Sequence, residues 1–171
     1  MCRIRVVVAS LCLALLIGCS SEPERENLLL GSVTRVVSGQ TVEVKLTGTT
    51  EITRIRIIGI DAPDVRQSPW GEAAKKKLIE LTMGSTVLIE SESEQPDRYN
   101  RLNAHIWKNQ ILVSQELIKA GYVLANEKYS HSYSKLLMES QEYARLMGYG
   151  IWNPKQAMRY TPGQFRSMNS Q

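Results

Sequence analysis

Residues 28–60 read LLLGSVTRVVSGQTVEVKLTGTTEITRIRIIGI. Leu28 to Val37 is rich in Leu and Val, and Ser38-Gly39 is a turn signal. Thr41, Val42, Val44 and Leu46 then alternate with polar residues up to Thr47-Gly48. Ile52, Ile55, Ile57, Ile58 and Ile60 supply a third, β-branched run. Three short strands joined by glycine turns predict an antiparallel meander, and with it a β-rich domain.

The pattern changes after this stretch. Gly59 to Pro69 carries two prolines and reads as a loop. From about Gly71 to Thr82, Ala74, Leu78 and Leu81 recur at i, i+4, i+7, which predicts a helix ending at Gly84. Thr86–Glu90 and Leu102–Trp107 read as fourth and fifth strands around the polar loop Ser91–Asn100. Ser114–Ala120 is a short helix stopped at Gly121. Ser134–Met147 is a longer one, with Leu136, Leu137, Ser140, Ala144 and Met147 on its buried face and Gly148 as the stop. Trp152 is expected to plug the core. Residues 154–171 hold two prolines and little periodicity, which predicts a loose tail. The expected fold class is α+β, mainly β: a five-stranded OB-type barrel with about three helices. Element order alone also admits other small barrels.

Composition bounds the function classes. The chain has 171 residues, 43% hydrophobic and 22% charged, which is one ordinary domain and not a disordered chain. No apolar run reaches the roughly 18 residues of a spanning helix. Residues 1–18 read as an export signal: Arg3 and Arg5, then an apolar core from Val6 to Ile17. Leu16-Ile17-Gly18-Cys19 resembles the lipobox of bacterial lipoproteins, which implies lipidation of Cys19. Residues 19–27, with Pro23 and several charges, would then be a tether. The formal charge is +4, but two of the 21 basic residues lie in the signal, leaving about +2. That charge alone does not argue for nucleic acid. The three cysteines are Cys2, Cys12 and Cys19, so the domain holds neither a disulfide nor a Cys-ligated zinc.

One residue stands out chemically. Arg56 lies inside an apolar strand, between Ile55 and Ile57. A guanidinium beside a barrel core needs a partner or an anionic ligand. Asp61 follows where the strand ends, and Asp64 follows across Pro63. The residues alone allow two readings. One is a structural Arg56–Asp61 ion pair with Asp64 solvated. The other is a carboxylate site for a hard cation beside an arginine, the combination a phosphodiester needs as charge grows on its oxygens.

Three segments taken together resemble the staphylococcal nuclease (thermonuclease) family. They are Val36-Val37-Ser38-Gly39-Gln40-Thr41-Val42, Ile55-Arg56-Ile57-Ile58-Gly59-Ile60-Asp61-Ala62-Pro63-Asp64 and Asp97-Arg98-Tyr99-Asn100-Arg101-Leu102. Gly71-Glu72-Ala73-Ala74, Gly121-Tyr122-Val123 and Gly150-Ile151-Trp152 extend the likeness to about residues 29–152. A nuclease domain over 28–153 follows. The resemblance implies calcium-dependent cleavage of DNA and RNA, preferably single-stranded, by a monomer on an OB-type barrel. It implies that Arg56 and Arg101 hold the phosphate and that Asp64 positions or deprotonates the attacking water. Asp61, Gln40 and the backbone carbonyl of Ala62 would be the calcium ligands. Tyr129 and Tyr133 fall where the family has tyrosines near the nucleotide. With the export signal, the picture is a lipid-anchored envelope nuclease at the outer membrane or cell surface.

The sequence also departs from that family. Gln40 stands where the family has an aspartate, removing one negative charge from a weak calcium site. Asp64 stands where it has a glutamate, one methylene longer. Ser38 replaces an acidic residue, and Asn100 replaces a glycine at a position expected to be left-handed. The alternative is therefore a catalytically inactive barrel that binds nucleic acid or an envelope partner. His105 is expected to be packed in the fifth strand, and His131 to be solvated in a polar loop. Neither has a carboxylate at a spacing that suggests metal binding.

Overall fold

The computed structural model describes residues 28–93, 95–128 and 130–169. The signal, Cys19, the tether and Tyr129 lie outside the described residues. Among the described residues there are eight strands and four α-helices. The first three are β1 (Leu28–Ser38), β2 (Thr41–Leu46) and β3 (Ile52–Ile57). They form the expected meander, with β1 and β3 each antiparallel to β2. Two register shifts in β1, between Val33 and Arg35 and between Val36 and Ser38, bend the strand. Its first half thereby pairs with β5 (Thr86–Ser91) as well as with β2. β5 pairs antiparallel with β6 (Leu102–Lys108), and β6 closes onto β3 in parallel register. These five strands make a closed barrel, which removes every free edge among them. A two-residue β7 (Ile111–Leu112) extends β6.

The alternating residues of this barrel fill it. Val33, Val42, Val44, Ile55, Ile57, Val87, Ile89, Ala104 and Ile106 are all buried. α1 (Trp70–Thr82) covers one end with Ala74 and Leu78. α2 (Val113–Lys119) adds Leu117 and Ile118, and α3 (Ser134–Met147) adds Leu137 and Ala144.

Four expectations are corrected. The third strand stops at Ile57, because Gly59 adopts a left-handed φ of 75° and turns the chain. It restarts as β4 (Ile60–Asp61), which pairs with β8 (Leu124–Ala125) in a separate two-stranded sheet. On α3 the buried face is Leu137, Ser140 and Ala144, while Leu136 and Met147 are 36% and 51% exposed. Ile151, not Trp152, enters the core; Trp152 is half-buried beneath the Arg145 guanidinium. Finally, residues 162–168 are not loose but form a fourth helix, α4 (Pro162–Met168). Its start is a capping box: Thr161 Oγ1 accepts from Gln164 N–H, and the Gln164 side chain accepts from Thr161 N–H.

One surface cluster ties the meander together. Glu43 on β2 accepts from Arg35 on β1 (2.7 Å, twice) and from Arg54 on β3 (3.0 Å). The Arg35 hydrogen bonds, followed by that from Arg54, pull the Glu43 carboxyl down to about 2. Its folded value lies below the unfolded value of about 4.3. The stabilisation is therefore complete above that value and is lost as pH falls toward 2. Urea midpoints measured between pH 5 and 2 are expected to fall less steeply in Glu43→Gln than in the parent.

Candidate active site at the barrel end

Arg56 is the residue around which the site is built. Its strand is pinned on both sides, in register with Thr41 on β2 and Asn103 on β6. Its Nη2 donates to the Ile60 carbonyl at 3.4 Å, while Nη1 is buried and has no partner. No carboxylate lies within 4.0 Å of it among the described residues, so the structural ion pair with Asp61 is not formed. Burial is the main influence lowering its pKa, followed by repulsion from Arg101; Asp61 opposes both. A half-buried guanidinium with an unfilled donor and a second cation beside it can seat an anion.

Arg101 is held by its own turn. Asn100 takes the left-handed conformation expected from sequence, φ 57°. Asp97 Oδ1 accepts the N–H groups of Tyr99 and Arg101, and Oδ2 accepts Arg101 Nε (2.9 Å) and Nη2 (2.6 Å). Burial raises the Asp97 carboxyl, but these hydrogen bonds outweigh it and leave the group below its ordinary range. Tyr99 is 58% exposed, with Arg98 and Arg101 guanidiniums 4.8 and 5.0 Å from its ring centre.

The turn at Gly59 brings Asp61 and Ala62 to the same end. Gln40, on the β1–β2 turn, accepts Ala62 N–H through Oε1 at 2.8 Å. The carboxylate of Asp61 accepts from Arg166 Nη2 at 2.8 and 2.9 Å. Arg166 Nη1 also reaches the Ala62 carbonyl at 3.4 Å. The three groups predicted to bind calcium are thus linked through Ala62 and Arg166, and their oxygens are of the type a hard cation takes. Two of them are spanned by a guanidinium from α4, and the third is taken by a backbone amide. The residues fit the ion in donor type, with Arg166 standing as an internal competitor for it.

Asp64 is near but otherwise engaged. It accepts from Arg66 N–H, Nε and Nη2 at 2.9, 2.9 and 3.0 Å. Those hydrogen bonds, with the side chain of Arg66 first, hold its carboxyl below the usual range. It is ionised but weakly basic. Tyr133 is half-buried: its hydroxyl donates to Glu90, and its ring packs edge-on against Trp107 and His105. A surface cleft of about 920 Å³ near Lys45–Glu51 holds none of these residues; another of about 300 Å³ opens beside Arg56.

This geometry coincides with a family match. The family model described as staphylococcal nuclease homologue matches residues 54–154, more than half of the chain. The chain belongs to the staphylococcal nuclease family. An uncharacterised endonuclease of Haemophilus influenzae is 28% identical over 134 residues, 78% of this chain and 71% of that protein. A thermonuclease of Staphylococcus intermedius is 29% identical over 128 residues, 70% and 74% of the two chains. Endonuclease YhcR of Bacillus subtilis is 27% identical over 166 residues, 85% of this chain but 13% of its own length. These likenesses support a nuclease.

Sequence reasoning missed Arg166 and Tyr99. Thr161-Pro162-Gly163-Gln164 is a legible capping box with proline at the first helical position, so α4 had a local signal. Nothing local indicates that Arg166 meets Asp61.

Proposed function

We propose that this member of the staphylococcal nuclease family hydrolyses phosphodiester bonds in DNA or RNA, single strands preferentially. The carrying observation is the buried, unpartnered Nη1 of Arg56 beside Arg101 and Asp61. Arg56 and Arg101 take the phosphoryl oxygens and stabilise the charge that grows on them. Asp64 orients the attacking water, and its pairing with Arg66 makes it a weak base and the reaction slow. Calcium, held by Asp61, the Ala62 carbonyl and Gln40, would add positive charge at the same phosphate. Tyr99 offers an exposed face for a base to stack on. The chain acts as a monomer, exported and anchored through a lipid on Cys19 at the outer membrane or cell surface.

The test is digestion of single-stranded DNA by the full chain, with calcium and with chelator. Chelator-sensitive products are expected. The engagement of Asp64 by Arg66 favours a second reading, a barrel that binds nucleic acid or an envelope partner without cutting. Salt-dependent DNA binding with no products at high protein concentration would establish that reading instead.

Arg166 sets the calcium affinity in this scheme. Arg166→Ala removes two charge-assisted hydrogen bonds from Asp61 and is expected to tighten calcium binding about tenfold by calorimetry. Unchanged affinity would place the ion elsewhere.

A further inference from the structure

The geometry points to a second metal site, for a zinc-class divalent ion, made by Glu92, His105 and His131. These residues come from three separate segments: just past the end of β5, the middle of β6, and the loop before α3. His105 is packed within β6, as the sequence led us to expect. His131 is half-buried rather than solvated, and Glu92 brings a carboxylate to the pair from a distant segment.

His105 Nε2 lies 3.1 Å from Glu92 Oε1. One nitrogen of each ring and one oxygen of Glu92 all fall within 4.8 Å of one another. In a tetrahedral zinc site with bonds of about 2.0–2.1 Å, ligand atoms sit about 3.4 Å apart. The Glu92–His105 pair is already at that spacing, and the third ligand needs to close by at most about 1.4 Å. The two imidazoles are tilted by 50° with centres 5.0 Å apart, so they do not stack. Gly59 makes room for the second ring: a Cβ there would lie 2.6 Å from His131 Nε2.

His105 is fully buried, and its Nδ1 has no hydrogen-bond partner. Metal at Nε2 would replace the Glu92 hydrogen bond with a stronger tie and put the ring's proton on Nδ1, which stays without an acceptor among the described residues. The cost is modest. Whichever nitrogen of His131 binds, the hydrogen bond from Tyr133 N–H to Nδ1 (3.2 Å) is given up. Two imidazole nitrogens and one carboxylate oxygen are a borderline-soft set, suited to zinc rather than to calcium. Three protein ligands leave a fourth position open. Glu92 and His131 line the cleft that also holds Arg56, so that position has a solvent path and borders the phosphate seat.

The test is titration of Co²⁺, then Zn²⁺, in calcium-free buffer into the full chain with its thiols alkylated. One equivalent of Co²⁺ with the visible absorption of a tetrahedral site, displaced by Zn²⁺, is expected. Affinity should drop about tenfold or more in His131→Ala and in Glu92→Gln. Zinc should raise the melting temperature of the parent and of neither variant. Glu92 is exposed and His131 half-buried, so both variants keep the core, and melting curves without metal check that they fold. Absence of the Co²⁺ band in the parent, or equal affinity in parent and variants, overturns the site. Because the readout is metal binding, the outcome is independent of whether the chain cleaves DNA.

Discussion

Arg56→Gln is expected to lower kcat/KM for single-stranded DNA about 10²–10³-fold, the usual effect of removing one preorganised donor from a developing oxyanion. Among the described residues Arg56 donates one side-chain hydrogen bond, of 3.4 Å, and burial and Arg101 both act against its charge. Its native-state electrostatics are therefore unfavourable until an anion arrives. Glutamine removes that charge while keeping a polar tip, so the melting temperature should hold or rise as activity collapses. Arg56→Lys restores the charge but not the planar fork, and should recover only part of the rate. A rate within threefold of the parent, or a loss of stability matching the loss of rate, would make Arg56 a structural residue. The measurement pairs steady-state kinetics with thermal unfolding.

The second large effect is on stability. Gly121→Val is expected to cost about 3 kcal/mol or more and to lower the melting temperature on the order of 10 °C. Gly121 ends α2 at φ 73°, a conformation that a β-branched residue enters only under strain. A side chain there would also run into the Tyr149 carbonyl and the backbone of Gly150. That approach is used: Ile151 N–H donates to Gly121 O at 2.8 Å, and Ile151 is buried. The contact fastens the end of α3 to α2, so its loss should reach α3 and the His131 loop before it reaches the barrel. A melting temperature unchanged within about 2 °C would mean that the backbone yields at little cost. Hydrogen exchange would then show no loss of protection in α3.

Much of the frame is legible in the sequence because its causes are local. Alternating β-branched residues, glycine turns and the spacing of Ala74 and Leu78 each report the conformation of a few consecutive residues, and the barrel meander and α1 follow. The strangeness of Arg56 is equally local: an arginine within an isoleucine strand is conspicuous without coordinates. The misreadings have local causes too. Leu136 and Met147 are apolar at helical spacing, yet the α3 stripe that meets the barrel is centred on Leu137. Periodicity finds an apolar face but not the neighbour that selects its centre.

The amino-acid sequence alone determined the five barrel strands, the first helix and the unusual setting of Arg56, since short-range propensity and patterning settle these. Closure of β3 onto β6, the turn at Gly59 and the docking of α4 decided the rest. They chose Arg166 as the partner of Asp61 across 105 positions and drew Glu92, His105 and His131 to one point. Such partnerships depend on which distant surfaces meet once apolar area is buried, and no stretch of neighbouring residues carries that information.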